Sequence, residues 1–548
     1  MTEQDKSKIK FETLLTRCIY DDIHGFVKLT AAEKELLSTP YLRRLHFIKQ
    51  NALANFIFPG ATHTRFSHSI GVLHIVEKMV QQLKKVQTKI VINEFDHQII
   101  RLAALLHDVG HYPLSHTIED CFQKFDQYFL QKKDEGFNPL ENVPMEENNL
   151  FMNIDSIHSL LNDFPENTKT SDFHHEKIAK ILISNEKSPL YNVLKKLLSG
   201  VYSQLYEKLI SDKDLDAYLH LIGQIICGKP KFDSNPLLNN SSEMSDKYFI
   251  LSLLINSDLD ADQMDYMLRD TKNTGIQTTI RTDFLINNMN VCFINLGENK
   301  NQPVLCFNYR AFESVQQFIF SKAYWYTEII LYDKVSILNE IAKKLYLFWL
   351  HKESPIQNID DFYNKILFDE EKYIAFTDAD FWQKMSILKE KYGNNTVITK
   401  MINILQGYRP IPKVVALPEL RDLKIENQNV LKTNIDQFSL KNDRKNKIYD
   451  DINKYFNNDN IFPICYSNKF FKPTLGEKTT HIYTNRSIYI LLSPCIDEDN
   501  CSKNCQKVVE FTNSTKLGNN IIHKLLCSTE KTDANQAFIY KCTVYDFT

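Results

Sequence analysis

The stretch LAALLHDVGHYPLSH, residues 102–116, most constrains the fold and the chemistry of this chain. An apolar helix in it ends at a histidine and an aspartate side by side. Adjacent residues on a helix point about 100° apart, so His107 and Asp108 can reach one ion only near a helix end or with the carboxylate bent round. Together they offer an imidazole nitrogen and a carboxylate oxygen, which suit Mn, Fe, Co, Zn or Ni better than Ca. A metal site here would need further ligands from elsewhere in the chain.

Two other segments offer such ligands. His68 lies in HTRFSHSIGV, residues 63–72, whose serine-rich flank fits the start of a long helix. A lone His–Asp pair is most often chance, and an acidic run is most often a solvated face, but the combination of HDxGH, a second downstream histidine and RFxH favours a site. The acidic candidates lie within SDLDADQMDYMLRD, residues 257–270, and are Asp258, Asp260, Asp262, Asp265 and Asp270.

The composition and the periodicity of the sequence change along the chain. Helical periodicity runs through most of the first part, for example in SIGVLHIVEKMVQQLKKV. After about residue 405, segments such as THIYTNRSIYILLSP and QAFIYKCTVYDF are rich in Ile, Tyr, Thr and Val, which favours strands. We therefore predict a mostly α protein, with a helical core domain over residues 1–345 and a smaller α+β C-terminal lobe over residues 346–548.

Composition and charge exclude several classes of protein. The formal net charge of −3 provides no basic surface, which argues against a nucleic-acid partner. The 11 cysteines are odd in number and scattered, which favours a reducing compartment over a disulfide framework. The N-terminal MTEQDKSKIK has no apolar signal-peptide core, and the longest apolar runs fall short of the roughly 18 residues of a membrane span. We expect a cytoplasmic protein with no membrane partner.

The chain resembles the HD-domain phosphohydrolases, and among them the deoxynucleoside triphosphate (dNTP) triphosphohydrolases of the SAM-and-HD-domain type and their bacterial dGTPase-like relatives. The resemblance implies an HD-domain helical core, hydrolysis at the α-phosphorus that releases deoxynucleoside and intact triphosphate, and a homo-oligomer, either dimer or tetramer. The segments that carry it, in family order, are YDDIHGFVKLT (20–30), YLRRLHFIKQNALANFIFPGATHTRFSHSIGVLH (41–74), LAALLHDVGHYPLSHTIED (102–120) and LDADQMDYMLRDTKNTGI (259–276).

The resemblance also implies the metal and its ligands. It selects one acid from the cluster at residues 257–270, and for Asp258 and Asp265 we then expect solvent exposure or a charge at a helix start. The metal is expected to be one divalent transition metal (Mn, Fe, Zn or Co), and a second ion, Mg²⁺, is a further hypothesis. The implied ligands are His68, His107, Asp108 and Asp262.

Four further residues would take part in catalysis. By resemblance, His111 is the general acid or base, a role that imidazole suits because its pKa lies near neutrality. His116 would contact phosphate or the leaving oxygen. His175 would belong to the same site, with its neighbour His174 as the alternative. Arg65 would bind the α-phosphate region through the fixed fork of its guanidinium.

The resemblance implies a sugar-binding group as well. Gln50 and Tyr266 would line the sugar, and an aromatic ring against C2′ would leave no room for a ribonucleotide hydroxyl. Asp270 would accept a hydrogen bond from the 3′-hydroxyl. Asn51, beside Gln50, stands at a position that is often apolar in the family, and we include it among the substrate-binding residues.

Two phosphate-binding cations of the family are replaced in this chain. Gln263 stands where a lysine is common and Ala323 where an arginine is common, and Lys322 or Lys334 would have to compensate. These changes motivate an alternative, an HD phosphohydrolase acting on another nucleotide: a monophosphate, a cyclic nucleotide or an oligonucleotide. A non-catalytic nucleotide sensor is the third hypothesis.

Regulation by a nucleotide effector is a further expectation. Ser38 replaces an acidic residue that would read guanine, which argues against the family's familiar GTP activation. Arg17, Arg43 and Arg44 are candidates for a different effector site. Enzymes of this kind control dNTP pools, and some restrict virus or phage replication by depleting them, so the resemblance extends to the hypothesis of an antiviral role.

Overall fold

A computed structural model of the chain describes residues 9–86, 90–123, 172–228, 242–295, 301–394 and 396–411, together with the backbone of short strands between residues 414 and 546. The described part is mostly helical, which confirms the predicted fold class. None of its helices combines the length and the apolar character needed to cross a membrane. The division of the chain at residue 345 stays a prediction.

The helices carry most of the described residues. Residues 116–123 are helical as well, and π-helical segments lie at Tyr326–Ile330 and Tyr363–Leu367. The α-helices are, in chain order, α1 (Ala31–Leu37), α2 (Pro40–Arg44), α3 (Arg65–Lys85), α4 (Glu94–Leu106), α5 (His175–Ser184), α6 (Pro189–Tyr206), α7 (Asp212–Ile226), α8 (Ser242–Leu253), α9 (Ala261–Thr274), α10 (Thr282–Asn287), α11 (Phe312–Trp325), α12 (Asp333–Lys352), α13 (Ile359–Phe362), α14 (Glu370–Ala375), α15 (Asp378–Lys391) and α16 (Thr396–Leu405).

The strands form small sheets. The orders are β1-β2, β3-β4-β7-β8 and β5-β9-β6, and every pairing is antiparallel except the parallel pair β4–β7. The C-terminal strands β7 and β9 lie within segments that the sequence predicts as strands, whereas the hairpins β1–β2 and β3–β4 were not predicted. The strands are β1 (Arg17–Asp21), β2 (Gly25–Leu29), β3 (Met289–Asn295), β4 (Asn301–Asn308), β5 (Val414–Val415), β6 (Ile461–Lys469), β7 (Tyr489–Leu491), β8 (Val508–Glu510) and β9 (Phe538–Asp546).

Helix α4 lies at the centre of the apolar core. Every residue from Phe95 to Leu106 is buried, and the buried set includes the polar or charged Asp96, His97, Gln98 and Arg101. A capping box begins the helix, because the Asn93 side chain accepts from two backbone N–H groups and Asp96 accepts from the Asn93 N–H at 2.9 Å. The α-helical hydrogen bonding stops at Leu106, so His107 and Asp108 follow in a turn.

One charged side chain of α4 is fully buried and neutralised. The Arg101 guanidinium donates to both carboxylate oxygens of Glu33 at 2.7 Å and to Glu77 Oε2 at 2.5 Å. Such bidentate pairs are the strong form of an ion pair. Removing one partner would leave buried carboxylates without compensation.

We therefore expect the Arg101→Met variant to be less stable to unfolding by about 3–5 kcal/mol. Urea titration of the purified protein measures this change. The matched control is Lys78→Met, which breaks an exposed pair with Asp283, 2.8 Å long, and should cost no more than about 1 kcal/mol. Equal stability of the two variants would contradict the prediction.

Residues beyond 345 pack into the same core as α4 and hold the loop that follows it. Phe362, Tyr373 and Phe381 are buried in the apolar cluster around α4. The Asp378 carboxylate accepts from the Leu114 N–H at 2.8 Å and from the Lys49 N–H at 3.1 Å.

The same loop has an unusual backbone. Leu114 and Ser115 have φ values of 50° and 53°. These values lie in the left-handed region, which residues other than glycine rarely adopt. Such a conformation persists when its surroundings fix it. Asp378 supplies part of that fixation. Arg44 supplies another part nearby, by donating to the carbonyl oxygens of His111 and Phe376, each at 2.6 Å.

Candidate active site

The four predicted metal ligands meet at one point. His68 lies in the first turn of α3, His107 and Asp108 follow α4, and Asp262 lies in the first turn of α9. His68 Nε2 is 2.7 Å from Asp262 Oδ1 and 3.3 Å from His107 Nε2. Asp108 Oδ1 is 3.4 Å from His107 Nε2, and Asp108 Oδ2 is 3.9 Å from His68 Nε2. The end of α4 at Leu106 allows both His107 and Asp108 to face this centre.

Hydrogen bonds on the far side of each ring orient the two histidines. His107 Nδ1 lies 2.8 Å from the Ala104 carbonyl oxygen, and His68 Nδ1 lies 2.7 Å from Asp265 Oδ2. Because a carbonyl or carboxylate oxygen can only accept, each Nδ1 carries a proton. The Nε2 atoms are thereby directed to the shared centre.

This set of donors fits a divalent transition metal. Two imidazole nitrogens and carboxylate oxygens within a few ångströms of one another are typical ligands for such an ion, and His68, His107 and Asp262 are close enough to share one. Burial would lower the pKa of His68, but hydrogen bonds with Asp262 and Asp265 raise it to about 10. The surroundings of the His68 ring therefore favour positive charge.

The expectation that Asp258 and Asp265 face solvent or are charges at a helix start is wrong, since the acidic residue in the first turn of α9 is Asp262. Both are buried, and Asp265 is fully so. Asp265 is paired with Arg269, whose Nε donates to its Oδ2 at 2.8 Å, as well as with His68. Asp260 caps α9, since its side chain accepts from the Gln263 N–H at 2.8 Å. The burial of Asp260 and Asp265 is therefore compensated by hydrogen bonds to these partners.

Arg65 reaches the metal-ligand set directly. Its Nη1 donates to Asp108 Oδ2 at 2.9 Å, and its Nε donates to Ser115 Oγ at 3.0 Å. Burial raises the pKa of Asp108, but Arg65 and then His107 outweigh it and hold that pKa below its usual range. Asp108 therefore stays ionised, and a guanidinium lies at the edge of the centre.

The three predicted catalytic histidines surround Glu119, which the sequence analysis missed. His116 Nδ1 lies 2.8 Å from Glu119 Oε2, and His175 Nδ1 lies 3.1 Å from both Glu119 oxygens. The His111 ring stacks on the His175 ring with centroids 4.0 Å apart. Glu119 lies three residues after His116 on the helical segment 116–123, a spacing that could have indicated it.

A glycine allows α5 to approach the HDxGH turn. A Cβ atom at Gly110 would lie 2.2 Å from the His175 carbonyl oxygen and 2.5 Å from Ala179 N, so any side chain there would displace α5. His175 is thereby placed over His111. His174 instead caps α5, its Nδ1 accepting from the Glu176 N–H, which favours His175 over its neighbour as the active-site histidine.

The histidines differ in their protonation. Burial would lower the pKa of His175, but Glu119 raises it to about 9, so His175 is a cation at neutral pH. Burial, followed by the charge of Arg65, holds the pKa of His111 well below its usual range. Both His111 nitrogens lack a hydrogen-bond partner among the described residues, although Nε2 lies 3.3 Å from Asp108 Oδ1. A neutral and a charged imidazole in one site can serve as base and acid.

The predicted sugar-binding residues are linked to one another through His63 and Trp325. Gln50 donates its N–H to the His63 carbonyl oxygen at 3.1 Å, and buried Gln50 Oε1 and Asn51 Nδ2 have no hydrogen-bond partner among the described residues. The Tyr266 ring packs against the Trp325 ring with centroids 4.6 Å apart.

Asp270 is fully buried and already accepts two hydrogen bonds. Its Oδ1 lies 2.7 Å from His63 Nε2, and its Oδ2 accepts from Trp325 Nε1 at 3.0 Å. Neither His63 nor Trp325 was among the candidate residues. A contact between Asp270 and a 3′-hydroxyl stays a prediction.

Two expectations about cations have different outcomes. Lys322 Nζ donates to Gln263 Oε1 at 2.7 Å, so a lysine does lie beside the position where the family's lysine is replaced. Arg44, in contrast, is unavailable to an effector. It is buried and donates to His111 and Phe376 backbone oxygens, whereas Arg17 and Arg43 are exposed.

Part of the chain matches a known domain family. Residues 65–142, which include His68, His107 and Asp108, match the HD domain family. The chain contains an HD domain. The fold of the chain is similar over 96% of its length to the crystal structure of a phosphohydrolase from Bacteroides thetaiotaomicron, with a TM-score of 0.54 and 17% identity over 98% of that chain.

The sequence of this HD-domain protein is similar to those of named relatives. It is 28% identical to the chicken (Gallus gallus) deoxynucleoside triphosphate triphosphohydrolase SAMHD1 over 286 residues, 52% of this chain and 38% of that protein. It is 38% identical to the Dictyostelium discoideum SAMHD1 homologue over 104 residues, 19% of this chain and 20% of that protein. The matched segments thus span less than half of either relative.

Proposed function

We propose that this HD-domain protein is a metal-dependent hydrolase that converts deoxynucleoside triphosphates into deoxynucleoside and intact triphosphate. The observation that carries the proposal is the junction of two clusters: Asp108, one of the metal ligands, lies 3.3 Å from His111, which stacks on the Glu119-bound His175. The named activity of the chicken and Dictyostelium relatives supports the same substrate class.

The residues divide the chemistry between them. His68, His107, Asp108 and Asp262 would hold a divalent metal, which would supply Lewis-acid polarisation and would lower the pKa of a water molecule. Arg65 places positive charge beside Asp108, where it can bind an α-phosphate oxygen.

Glu119 keeps His175 protonated, so this ring can give a proton to the 5′-oxygen when its bond to the α-phosphorus breaks. His116 is the exposed member of the cluster, with 66% of its side chain accessible, and can contact an incoming phosphate.

Lys322 is the proposed partner of the triphosphate tail. Its ammonium lies 2.7 Å from Gln263 Oε1, next in sequence to the metal ligand Asp262. We expect Lys322→Met to raise the KM for a dNTP about tenfold or more with little change in kcat, because a charge-assisted hydrogen bond is worth about 1.5–3 kcal/mol. Steady-state kinetics measures both constants.

The exposed Lys334 supplies the control for that experiment. Lys334→Met should leave the KM unchanged if Lys322 is the compensating cation. A rise in KM in Lys334→Met alone would transfer the role to Lys334.

A product assay tests the proposal itself. The protein is incubated with Mn²⁺ and each dNTP, singly and in mixtures, and the products are separated. We expect deoxynucleoside and triphosphate, and mixtures reveal an effector that differs from the substrate. Monophosphate and pyrophosphate as products would refute this form of the reaction.

A second candidate is hydrolysis of another nucleotide by the same centre. Gln263 favours it, since an uncharged residue next to Asp262 reduces the attraction for a triphosphate. A panel of nucleoside monophosphates, cyclic nucleotides and oligonucleotides separates the two. A non-catalytic sensor is the third: it requires that His111→Ala keep full biological activity.

The wider proposal covers partners and biology. It includes a homo-oligomer, dimer or tetramer, regulation by a nucleotide effector, a second Mg²⁺ ion, a cytoplasmic location and an antiviral role through dNTP depletion. Light scattering with and without nucleotides tests the oligomer. A phage challenge of bacterial cells that express the protein, with Asp262→Ala as the inactive comparison, tests the antiviral role.

A further inference from the structure

We propose that Asp265 and His24 are positioning residues for the metal ligand His68, so that the N-terminal hairpin β1–β2 is a structural part of the metal centre. The inference rests on the proposed metal-dependent function and deepens it. His24 lies in the turn of a hairpin far from the HD motif in sequence, and its partner Asp265 lies 241 positions away.

Both oxygens of the Asp265 carboxylate are fully engaged. Its Oδ2 contacts His68 Nδ1 at 2.7 Å and accepts from Arg269 Nε at 2.8 Å. Its Oδ1 contacts His24 Nε2 at 2.6 Å and accepts from Arg269 Nη2 at 3.0 Å. Each oxygen therefore has two partners, and the carboxylate is fixed in position and in rotation.

Asp265 acts on the centre through His68 and not as a ligand. Its contact is with Nδ1, whereas His68 Nε2 faces Asp262 and His107. A carboxylate in this position fixes the tautomer, turns the ring and increases the basicity of the ligating nitrogen. The orientation of His68 thus depends on whatever holds Asp265.

The hairpin turn is one of the groups that hold it. The His24 N–H donates to Asp21 Oδ1 at 2.9 Å, and Asp21 Oδ2 accepts from Arg269 Nη1 at 3.0 Å. Gly25 completes the turn with a φ of 72°, which glycine adopts without strain. Arg269 and His24 therefore tie the turn and the Asp265 carboxylate into one buried unit.

Helix α3 packs tightly against that unit at Gly71. A Cβ atom at Gly71 would lie 1.8 Å from Asp265 Oδ1 and 2.6 Å from Arg269 Nη2. The carboxylate therefore lies directly against the backbone of the helix that carries His68. A larger residue at this position would displace the carboxylate from the histidine.

Binding of Mn²⁺ to the metal-stripped, full-length protein tests the inference, measured by calorimetry alongside the melting temperature. Loss of a side chain that orients a metal-ligating histidine typically weakens metal binding about 10- to 100-fold. We expect that range for Asp265→Asn and about tenfold for His24→Ala. His24→Gln should recover most of the affinity, because its amide can still donate to Asp265.

Asp22→Asn is the matched control. Asp22 lies in the same turn, and its Oδ1 contacts Arg269 Nη1 at 3.3 Å. Its side chain is 54% exposed and forms no hydrogen bond with Asp265 among the described residues. Its Mn²⁺ affinity should equal that of the wild type. An equal loss of affinity in Asp22→Asn and His24→Ala would show a general effect of the turn and overturn the role of His24.

The remaining outcomes are also decisive. Wild-type Mn²⁺ affinity in both His24→Ala and Asp265→Asn overturns the inference. If His24→Ala does not fold, Asp265→Asn and the His24→Gln variant decide it by the same titration. A wild-type protein that binds Mn²⁺ but hydrolyses no dNTP would refute the proposed function, and the affinities of the variants would still test the positioning role.

Discussion

Replacement of Asp262 by alanine is expected to remove the bound metal and to lower the rate of triphosphate release at least about a thousandfold, since metal catalysis is worth several kcal/mol. Asp262 Oδ1 lies 2.7 Å from His68 Nε2 and 3.8 Å from His107 Nε2, so the variant loses the acid that links the two histidines. Its side chain is 36% exposed, and its truncation leaves no closed cavity. Elemental analysis and the product assay measure the two effects.

Asp283→Ala is the control for this experiment. Asp283 is an aspartate whose side chain is 70% exposed and pairs with Lys78 on the protein surface. The variant should keep the metal content and the rate of the wild type. A full complement of tightly bound metal in Asp262→Ala would contradict the assignment of Asp262 as a ligand.

Replacement of Glu119 by glutamine is expected to lower kcat about 10²- to 10⁴-fold while the metal stays bound. Glu119 raises the pKa of His175 to about 9, and without its charge that pKa falls. The protonated form of His175 is present below its pKa and is lost as the pH rises through it. The alkaline limb of the pH profile of kcat/KM should therefore move to lower pH in the variant.

Asp120→Asn serves as the matched control. Asp120 is the next residue, with a side chain that is 45% exposed and pairs with Lys343 at 2.7 Å. It should preserve both kcat and the pH profile. If Glu119→Gln kept the alkaline limb of the wild type, the residue that loses its proton there would not be His175.

The sequence predicted the parts of the site that lie within short motifs. His107, Asp108 and His111 follow the end of an apolar helix, and His68 lies in the first turn of another. The local sequence pattern alone therefore places them near helix ends. Glu119 carried a detectable signal, its three-residue spacing from His116, but an acid on a helix has many structural explanations. The histidine cluster was therefore predicted without the carboxylate that holds it.

Other parts depend on contacts between distant residues and have no local signal. Asp265 was expected to face solvent or to be a charge at a helix start because an acidic run is most often a solvated face, and the sequence does not show what packs on that face. His24 contacts Asp265 across 241 positions, and Asp378 contacts Leu114 across 264 positions. The hairpins β1–β2 and β3–β4 were missed for a related reason, since pairing depends on which segments meet.

The bond from Asp378 to the Leu114 N–H has a practical consequence for anyone shortening the gene. An expression fragment that ends at residue 345 would include every predicted ligand and catalytic histidine, yet would lack the carboxylate that anchors the bend between His111 and His116. Such a fragment would carry every predicted reactive group, but the loop between His111 and His116 would be free to relax. Shortened variants should therefore include all residues through α16. Only then does a loss of activity say something about the catalytic residues.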